Sequence, residues 1–214
     1  MRKIFILLGP PGAGKGSVGE VISEILEMPL ISTGDLLRKH ENEGTPLGIK
    51  AKAFMDSGEL VPDEIVIKML KERISKDNCK EGFILDGFPR TLTQAEMLDN
   101  LIKEDDEVNV FYLKAEDDFL VNRLSNRRVC ESCGKIYHLV NHPPIKEGVC
   151  DICKGKVVQR KDDTEEVIRK RLGIYKTLTA PLIDYYKNKG YFHIVDGETN
   201  VDFMMDEIRK IMKW

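Results

Sequence analysis

The sequence predicts an α/β fold in which helices pack on both faces of a parallel β-sheet. Short apolar runs bounded by Gly, Pro or Asp alternate along the chain with longer segments whose apolar residues recur at helical spacing. Strands that alternate with helices are usually joined by right-handed crossovers and pair in parallel. The chain has 214 residues, of which 42% are hydrophobic and 32% are charged, so it is long enough to bury an ordinary globular core.

Five apolar runs are predicted as strands buried on both faces of the sheet. They span residues 4–8, 30–31, 83–85, 108–113 and 191–195. Apolar residues at helical spacing predict helices near 18–26, 65–74 and 203–212. The second of these begins favourably, because Pro62, Asp63 and Glu64 suit the first turn of a helix.

Two segments interrupt this alternation of strands and helices. Residues 32–61 are helical in pattern and contribute no strand, whereas about 126–163 are rich in Gly, Pro and Cys. We expect both to be insertions into one core, which is formed by residues 1–31, 62–125 and 164–214.

The charge balance and the apolar runs restrict the partners of the chain. The formal net charge is -3, with 33 Lys and Arg against 36 Asp and Glu, so there is no general basic field of the kind that attracts nucleic acid. No apolar stretch approaches the roughly 18 to 20 residues needed to cross a bilayer, and the run at 4–8 is too short for a signal peptide. We expect a cytoplasmic protein that binds neither nucleic acid nor membrane.

The first predicted strand leads into G-P-P-G-A-G-K-G-S at residues 9–17 and then into a helix. Glycines in this context let successive N–H groups converge on phosphate oxygens at a helix N-terminus, and Lys15 adds a cation for the β- and γ-phosphates. The strict pattern has Ser or Thr directly after the Lys. Here Gly16 intervenes and the hydroxyl comes at Ser17, which weakens the case for direct magnesium ligation by that side chain.

A second strand ends in F-I-L-D-G-F-P-R at residues 83–90. This places Asp86 at the carboxyl end of a strand, where open α/β sheets bind ligands. An acid at this position can hold magnesium or its water shell, although an acid in an ordinary turn would look the same in isolation.

Two Cys-x-x-Cys pairs, separated by sixteen residues, indicate a metal site in the second insertion. The four residues are Cys130, Cys133, Cys150 and Cys153. Four thiolates predict a closed tetrahedral site for one structural Zn²⁺, which would stabilise a segment too short to fold on its own apolar residues. His138 and His142 are alternative ligands, but four cysteines suffice. Cys79 lies outside the cluster.

The chain resembles the adenylate kinase family of nucleoside monophosphate kinases. The matching stretches are G-P-P-G-A-G-K-G-S, I-S-T-G-D-L-L-R, D-G-F-P-R-T-L-T-Q-A, R-L-S-N-R-R, R-K-D-D and R-K-R-L-G-I-Y, in family order over almost the whole length. The resemblance implies a five-stranded parallel core of P-loop type, a nucleoside monophosphate-binding insertion at 32–61 and a lid at 126–163 of the long, zinc-bearing bacterial form. One departure is Ser17, where Thr is usual.

The resemblance also implies the activity and the partners. We expect the chain to transfer the γ-phosphoryl group of ATP to AMP in a reversible, magnesium-dependent reaction that gives two molecules of ADP. We also expect a monomer. Phosphoryl transfer relies on alignment and on neutralisation of phosphate charge, so we expect permanently charged arginines and no His or Asp general base.

Carried over by position, the resemblance implies a role for each of the following residues. The residues implied to be catalytic are Lys15, Arg90, Arg123, Arg160 and Arg171. ATP would be bound by Gly12, Ala13, Gly14, Lys15, Gly16, Ser17, Arg123, Arg127 and Thr199. AMP would be bound by Thr33, Arg38, Met55, Glu59, Val61, Gly87, Phe88, Pro89, Arg90, Gln94, Arg160 and Arg171, with Gln94 reading the adenine edge. Asp86 would organise the magnesium shell, and Asp162 and Asp163 would fasten the closed lid.

Three alternatives remain open at this point. One is a zinc-ribbon module that binds nucleic acid through the basic segment 154–161, although the chain lacks interleaved aromatic residues there. Another is an ATP-hydrolysing switch that needs no monophosphate. Within the family, a kinase with GTP as donor or with UMP or CMP as acceptor is also compatible, because contacts of the backbone with the donor base are not visible in a sequence.

Overall fold

The computed structural model describes residues 1–214, which form a central sheet covered by helices on both faces. The five strands of the sheet are β1 (Lys3–Leu8), β2 (Leu30–Ser32), β3 (Gly82–Asp86), β4 (Glu107–Lys114) and β8 (Phe192–Asp196). They lie in the order β2-β3-β1-β4-β8, and every neighbouring pair is parallel. The predicted α/β class and the five-stranded parallel sheet are therefore confirmed.

Helices follow the strands in the predicted alternation. They are α1 (Lys15–Leu26), α2 (Thr33–Asn42), α3 (Pro46–Asp56), α4 (Asp63–Ile74), α5 (Leu92–Asp99), α6 (Asp117–Ser125), α7 (Glu165–Ile174), α8 (Pro181–Lys187) and α9 (Val201–Met212). A single π-helical turn, Tyr175–Thr179, joins α7 to α8, and 3-10 turns lie at Asp77–Cys79 and Lys161–Asp163. No helix combines the length and the apolar character that a membrane span requires.

Both faces of the sheet are buried, because β1 sends alternate side chains into two separate apolar layers. Ile4 and Ile6 join the layer that contains α4, α5 and α8, while Phe5 and Leu7 join the layer that contains α1, α6 and α9. This explains the uninterrupted apolar run of the first strand.

The edge strand β8 differs from the prediction of a strand buried on both faces. Val195 is fully buried, but the Ile194 side chain is 54% exposed. A strand at the edge of the sheet has one neighbour and incomplete helix cover, so an apolar run alone does not indicate its burial. Phe203, which was included in the apolar pattern of the last helix, is likewise 64% exposed.

The two interrupting segments add no strand to the central sheet. The first contains α2 and α3, which pack on each other. The second contains a separate antiparallel sheet of β5 (Arg127–Cys130), β6 (Ile136–His138) and β7 (Val157–Val158), in the order β6-β5-β7.

Candidate active site and metal centre

The glycine-rich loop joins β1 to α1 at the carboxyl edge of the sheet. Gly12 and Gly14 have φ values of 90° and 99°, in the left-handed region where a side chain is strained. A Cβ on Gly12 would lie 2.9 Å from Leu124 Cγ, and one on Gly14 would lie 3.1 Å from Met204 Cε. Glycine is therefore favoured at both positions by conformation, and at Gly12 also by space.

Lys15 is the first residue of α1 and is half-buried on the floor of the loop. Its Nζ donates to the carbonyl oxygens of Gly9 and Pro10, at 2.8 Å each. Burial lowers its pKa to about 8, while the nearby Asp86 opposes this shift. The loop thus holds a cation that has lost its hydration and gains from the approach of an anion.

Asp86 ends β3 beside the phosphate loop. The sheet register pairs it with Leu7 of β1 and with Ser32 of β2. A Cβ on Gly16 would lie 3.5 Å from Asp86 Oδ2, so the carboxylate faces the first turn of α1. An acid and the loop lysine therefore meet at the carboxyl ends of adjacent strands, where open α/β sheets bind ligands.

A cavity of about 1900 Å³ opens above this edge of the sheet. Pockets for one drug-sized molecule have volumes of roughly 300 to 1000 Å³, so this cavity is large enough for two nucleotides. It brings together nearly all of the site residues that the sequence predicted: Gly12, Gly14, Lys15, Gly16, Ser17, Thr33, Arg38, Met55, Glu59, Val61, Asp86, Gly87, Pro89, Arg90, Gln94, Arg123, Arg127, Arg160, Asp162, Arg171 and Thr199.

Three of the residues predicted for nucleotide binding or lid closure do not line the cavity. Ala13 and Phe88 are fully buried in the apolar layers. Asp163 is also fully buried, where it accepts hydrogen bonds from arginines.

Six arginines line the cavity and crowd one another: Arg38, Arg90, Arg123, Arg127, Arg160 and Arg171. Burial, together with the charge of Arg171, lowers the pKa of Arg90 to about 10. Burial and the charge of Arg38 lower the pKa of Arg160 to about 10. Cations placed so close together repel one another, and an entering anion would relieve this repulsion.

Arg160 has an unused donor. Its Nε is buried and makes no hydrogen bond to the protein, and Nη2 lies 3.9 Å from Asp35 Oδ1. Asp35 also accepts from Arg38 Nη2 at 2.6 Å. Buried donors are nearly always paired, so the Arg160 Nε group is an exception among the donors of this site.

The side of the cavity next to α6 is partly aromatic. The Arg123 guanidinium lies 5.7 Å from the centre of the Phe119 ring, and its Nη1 donates to Gly197 O at 3.2 Å. Thr199, whose hydroxyl donates to Asp196 O at 2.9 Å, lines the same cavity.

The opposite side is formed by α2 and by the loop after β3. The Thr33 hydroxyl donates to Gly87 O at 2.8 Å and keeps its lone pairs for a further donor. Arg90 Nε donates to the same carbonyl at 2.8 Å. The Gln94 amide accepts from Arg90 N at 2.8 Å and donates to Asp63 Oδ1 at 2.6 Å.

Asp162 and Asp163 form ion pairs with arginines that the sequence predicted to lie at the site. Arg171 Nη1 lies 3.0 Å from Asp162 Oδ2 and 3.2 Å from Asp163 Oδ1, and Arg127 binds Asp163 through two nitrogens. Burial opposes ionisation of Asp162, but Arg171 and Arg127 hold its pKa below the usual value. The 3-10 turn Lys161–Asp163 is thereby tied to α7.

Sequence reasoning missed three residues that shape the site: Asp35, Asp63 and Phe119. Asp35 and Arg38 are three residues apart on one helix, a spacing that indicates a side-chain pair. Phe119 and Arg123 have the corresponding spacing of four. No signal in the sequence connects Asp63 with Gln94, which is 31 residues away.

The four cysteines form one cluster in the antiparallel sheet and its loops. Their sulfur atoms all lie within 4.8 Å of one another, with Cys130 and Cys153 at 3.4 Å and Cys133 and Cys150 at 3.6 Å. A tetrahedral zinc with Zn–S bonds of about 2.3 Å requires sulfur atoms about 3.8 Å apart. The donor set and its spacing therefore fit a metal ion.

Tyr137 and the backbone support this cluster. The Tyr137 hydroxyl donates to Cys150 Sγ at 3.3 Å and accepts from Asp151 N at 2.8 Å. Backbone N–H of Cys153 and the Tyr137 hydroxyl lower the pKa of Cys150 to about 6, which favours the thiolate that metals bind. His138 Nδ1 instead accepts from Val140 N and Asn141 N, at 3.3 and 3.2 Å, so that nitrogen is not free for a metal.

Comparison with known proteins identifies the family of this chain. The model of the family described as Adenylate kinase matches residues 7–191. An Adenylate kinase of Clostridium botulinum (strain Loch Maree / Type A3) is 50% identical over 209 residues, which cover 97% of each chain. Those of Clostridium perfringens (strain SM101 / Type A) and Caldicellulosiruptor bescii are 49% and 48% identical over 210 residues, covering 97% of this chain and 97% and 98% of theirs. The chain therefore belongs to the adenylate kinase family.

Proposed function

We propose that this chain transfers the γ-phosphoryl group of ATP reversibly to AMP and so forms two molecules of ADP. The observation that carries the proposal is the convergence of six arginines and Lys15 on one cavity large enough for two nucleotides. The names of its relatives support the same reaction.

The donor nucleotide would bind on the phosphate-loop side. Backbone N–H groups of residues 12–17 and the Lys15 ammonium would hold the phosphates of ATP at the N-terminus of α1. The adenine ring would lie near the Arg123 guanidinium and Thr199. Arg127 would contact the phosphates from β5, in the second insertion.

The acceptor nucleotide would bind on the α2 side. Arg38 and Arg90 would hold the single phosphate of AMP, and Gln94 would contact the base. Arg160 and Arg171 would contact both phosphate groups, and the unpaired Arg160 Nε is consistent with such a role. The remaining contacts would come from Thr33, Met55, Glu59, Val61 and the backbone of residues 87–89.

The chemistry needs no general base from the protein. Phosphoryl transfer proceeds when the attacking oxygen and the leaving oxygen are aligned and the charge on the phosphate oxygens is neutralised. Guanidinium groups remain charged throughout and bind two oxygens at once, which suits this task. Lys15 and the arginines would therefore offset the repulsion between two anionic substrates.

Magnesium would accompany the nucleotide, as use of Mg-nucleotides by the family implies. When bound, it would supply positive charge that neutralises part of the charge on the phosphates. Asp86 would orient its water shell, and Ser17 would supply a hydroxyl from the first turn of α1.

We propose that residues 32–61 form the monophosphate-binding unit and that 126–163 form a lid over a core of 1–31, 62–125 and 164–214. Water is the competing acceptor, so a lid that closes over both nucleotides protects ATP from hydrolysis. Asp162 and Asp163 would fasten the lid through Arg171 of α7.

We propose that the cysteine cluster holds one structural Zn²⁺. Four thiolates leave no open coordination position, so the ion would have no part in catalysis. The lid needs such a crosslink, because Val140, Ile145 and Ile152 are 72%, 93% and 68% exposed and bury little apolar surface.

The alternative functions receive no support from the family match. A zinc-ribbon module for nucleic acid and an ATP-hydrolysing switch would leave the acceptor side of the cavity unexplained. We propose a monomer that acts in the cytoplasm and binds neither nucleic acid nor membrane. Sedimentation at several protein concentrations tests whether the protein is a monomer.

A panel of nucleotides tests the proposal. Purified protein is incubated with Mg-ATP and AMP, GMP, UMP or CMP, and diphosphate production is measured together with free inorganic phosphate. We expect two ADP for each AMP consumed, with no comparable phosphate release. Release of phosphate from ATP without a monophosphate would contradict the proposal, as would a preference for UMP or CMP. Replacing ATP by GTP tests the donor.

A further inference from the structure

The Gln94 side-chain amide is hydrogen-bonded to a donor on one side and to an acceptor on the other. The backbone N–H of Arg90 donates to Oε1 at 2.8 Å, and Nε2 donates to the Asp63 carboxylate at 2.6 Å. An N–H group must face an oxygen, and a carboxylate must face an N–H. The two partners therefore determine which way the amide points.

Asp63 is itself fixed in place. It is the first residue of α4, and its second oxygen accepts from the Thr91 hydroxyl at 3.0 Å. The same hydroxyl caps α5 by accepting from Gln94 N at 3.1 Å. The carboxylate is thus attached to the starts of both helices and has little freedom to follow a rotating amide.

A flipped amide would meet two repulsive contacts. Oε1 would face the Asp63 carboxylate, and Nε2 would face the Arg90 N–H. Because Gln94 is 2% exposed, water cannot compensate for these contacts.

The amide keeps one N–H and one lone pair for a ligand in the cavity, which Gln94 lines. Adenine offers a 6-amino donor beside a ring nitrogen that accepts, and it satisfies both groups. A 6-oxopurine offers an acceptor at position 6, so its oxygen would face the Oε1 lone pair. This holds whichever ring nitrogen the amide N–H meets.

We infer that Asp63 is a positioning residue that locks the Gln94 amide and so makes the acceptor site select 6-aminopurine over 6-oxopurine monophosphates. The inference rests on the proposed function, in which Gln94 contacts the base of AMP. It goes further by assigning the selectivity to the pair of Asp63 and Arg90 N–H rather than to Gln94 alone.

The test compares AMP with inosine monophosphate, which differs from AMP in carrying oxygen at position 6. The values of kcat and KM for both acceptors are measured with saturating Mg-ATP, together with the melting temperature. Asp63→Ala and Asp63→Ser remove the carboxylate, and Ser keeps a residue suited to the start of a helix. Asp63→Asn keeps an acceptor oxygen for Gln94 Nε2. Glu64→Ala is the matched control, since Glu64 is an exposed acid in the same first turn.

We expect the AMP to inosine monophosphate ratio of kcat/KM to fall about tenfold or more in the Ala and Ser variants, chiefly through KM. The Asn variant should stay within about threefold of the wild type, and Glu64→Ala should not change the ratio. An unchanged ratio in a folded Ala or Ser variant would overturn the inference, as would an equal fall in Glu64→Ala. Failure of the wild type to phosphorylate AMP would refute the proposed function instead.

Discussion

Arg127 binds both carboxylate oxygens of the fully buried Asp163, with Nε and Nη2 at 2.7 and 2.6 Å from Oδ2 and Oδ1. Arg171 of α7 reaches the same Oδ1 at 3.2 Å. One carboxylate thus joins β5 to a helix of the central fold through two guanidinium groups.

Removing that charge should destabilise the protein. Asp163→Asn leaves two partly buried guanidinium groups without their shared partner, and breaking a buried pair costs about 3 to 5 kcal/mol. For a chain of this size, the melting temperature should fall on the order of 10 °C. The control is Asp184→Asn, which breaks an exposed pair with Lys187 at 3.3 Å and should cost less than about 1 kcal/mol. Equal effects in scanning calorimetry would contradict this role.

Lys15 should matter for turnover and little for stability. Lys15→Met removes the cation that would meet the transferring phosphate, so kcat should fall by about 10² to 10³. The melting temperature should not fall, because the charged ammonium is unfavourable in the folded state, as its lowered pKa indicates. Lys187→Met, at an exposed lysine of α8, serves as the control. Retention of full turnover by the Lys15 variant would rule out the assignment.

The pKa of about 8 for Lys15 predicts a pH dependence. The value of kcat/KM, which reports the free enzyme, should decline above about pH 8, and kcat should decline at higher pH because bound phosphate retains the proton. Lys15→Arg should have lower activity, but without this decline. A decline of equal midpoint in the Arg variant would assign it to another group.

The same lowered pKa determines the sign of a stability effect. A lysine in the unfolded chain titrates near 10.4, so between about pH 8 and 10.4 the unfolded state binds more protons than the folded state. The free energy of unfolding should therefore rise with pH in this range relative to Lys15→Met. Urea unfolding of the nucleotide-free wild type and variant at pH 7 and 9.5 measures the difference, and a fall instead of a rise would contradict the burial of the ammonium.

The cysteine cluster should release about one metal ion per chain when treated with a chelator, and the melting temperature should then fall. Tyr137→Phe removes the hydroxyl that donates to Cys150 Sγ, so the metal affinity should fall about tenfold or more. Cys79→Ala is the control, since Cys79 is buried outside the cluster. Metal content by elemental analysis and release followed with a chromogenic chelator give the readout. Equal stability with and without metal would exclude a structural role.

Arg90 should contribute more to the binding of the acceptor AMP than to the binding of the donor ATP. Arg90→Ala should raise KM for AMP about tenfold or more, since a charge-assisted contact is lost, while ATP affinity changes little. Arg169→Ala removes an exposed arginine paired with Glu165 and should leave both unchanged. Calorimetric titration with ATP and steady-state kinetics with AMP separate the two effects. A larger loss for ATP would mean that the two nucleotide sites are exchanged.

Much of the fold follows from local signals. The buried strands, the glycine-rich loop and the Cys-x-x-Cys pairs are each recognisable within about ten residues, because they depend on side-chain periodicity, on turn geometry and on ligand spacing. The α/β class and the parallel sheet were predicted from these signals, whereas the family was predicted from the resemblance of six stretches along the chain. The exposure of Ile194 and Phe203 was not predicted, because the burial of a side chain depends on whether a neighbouring element covers it.

The candidate site divides in the same way. Residue types and their order were sufficient to propose a phosphate loop, a set of arginines and a metal-binding lid. Packing alone assigned the partners: Asp163 to Arg127 and Arg171, Asp63 to Gln94, and Tyr137 to Cys150. Local propensity acts over a few residues, whereas such contacts join groups 8 to 36 positions apart. The pairing of charged side chains depends on the register of the sheet and on how each helix packs against it.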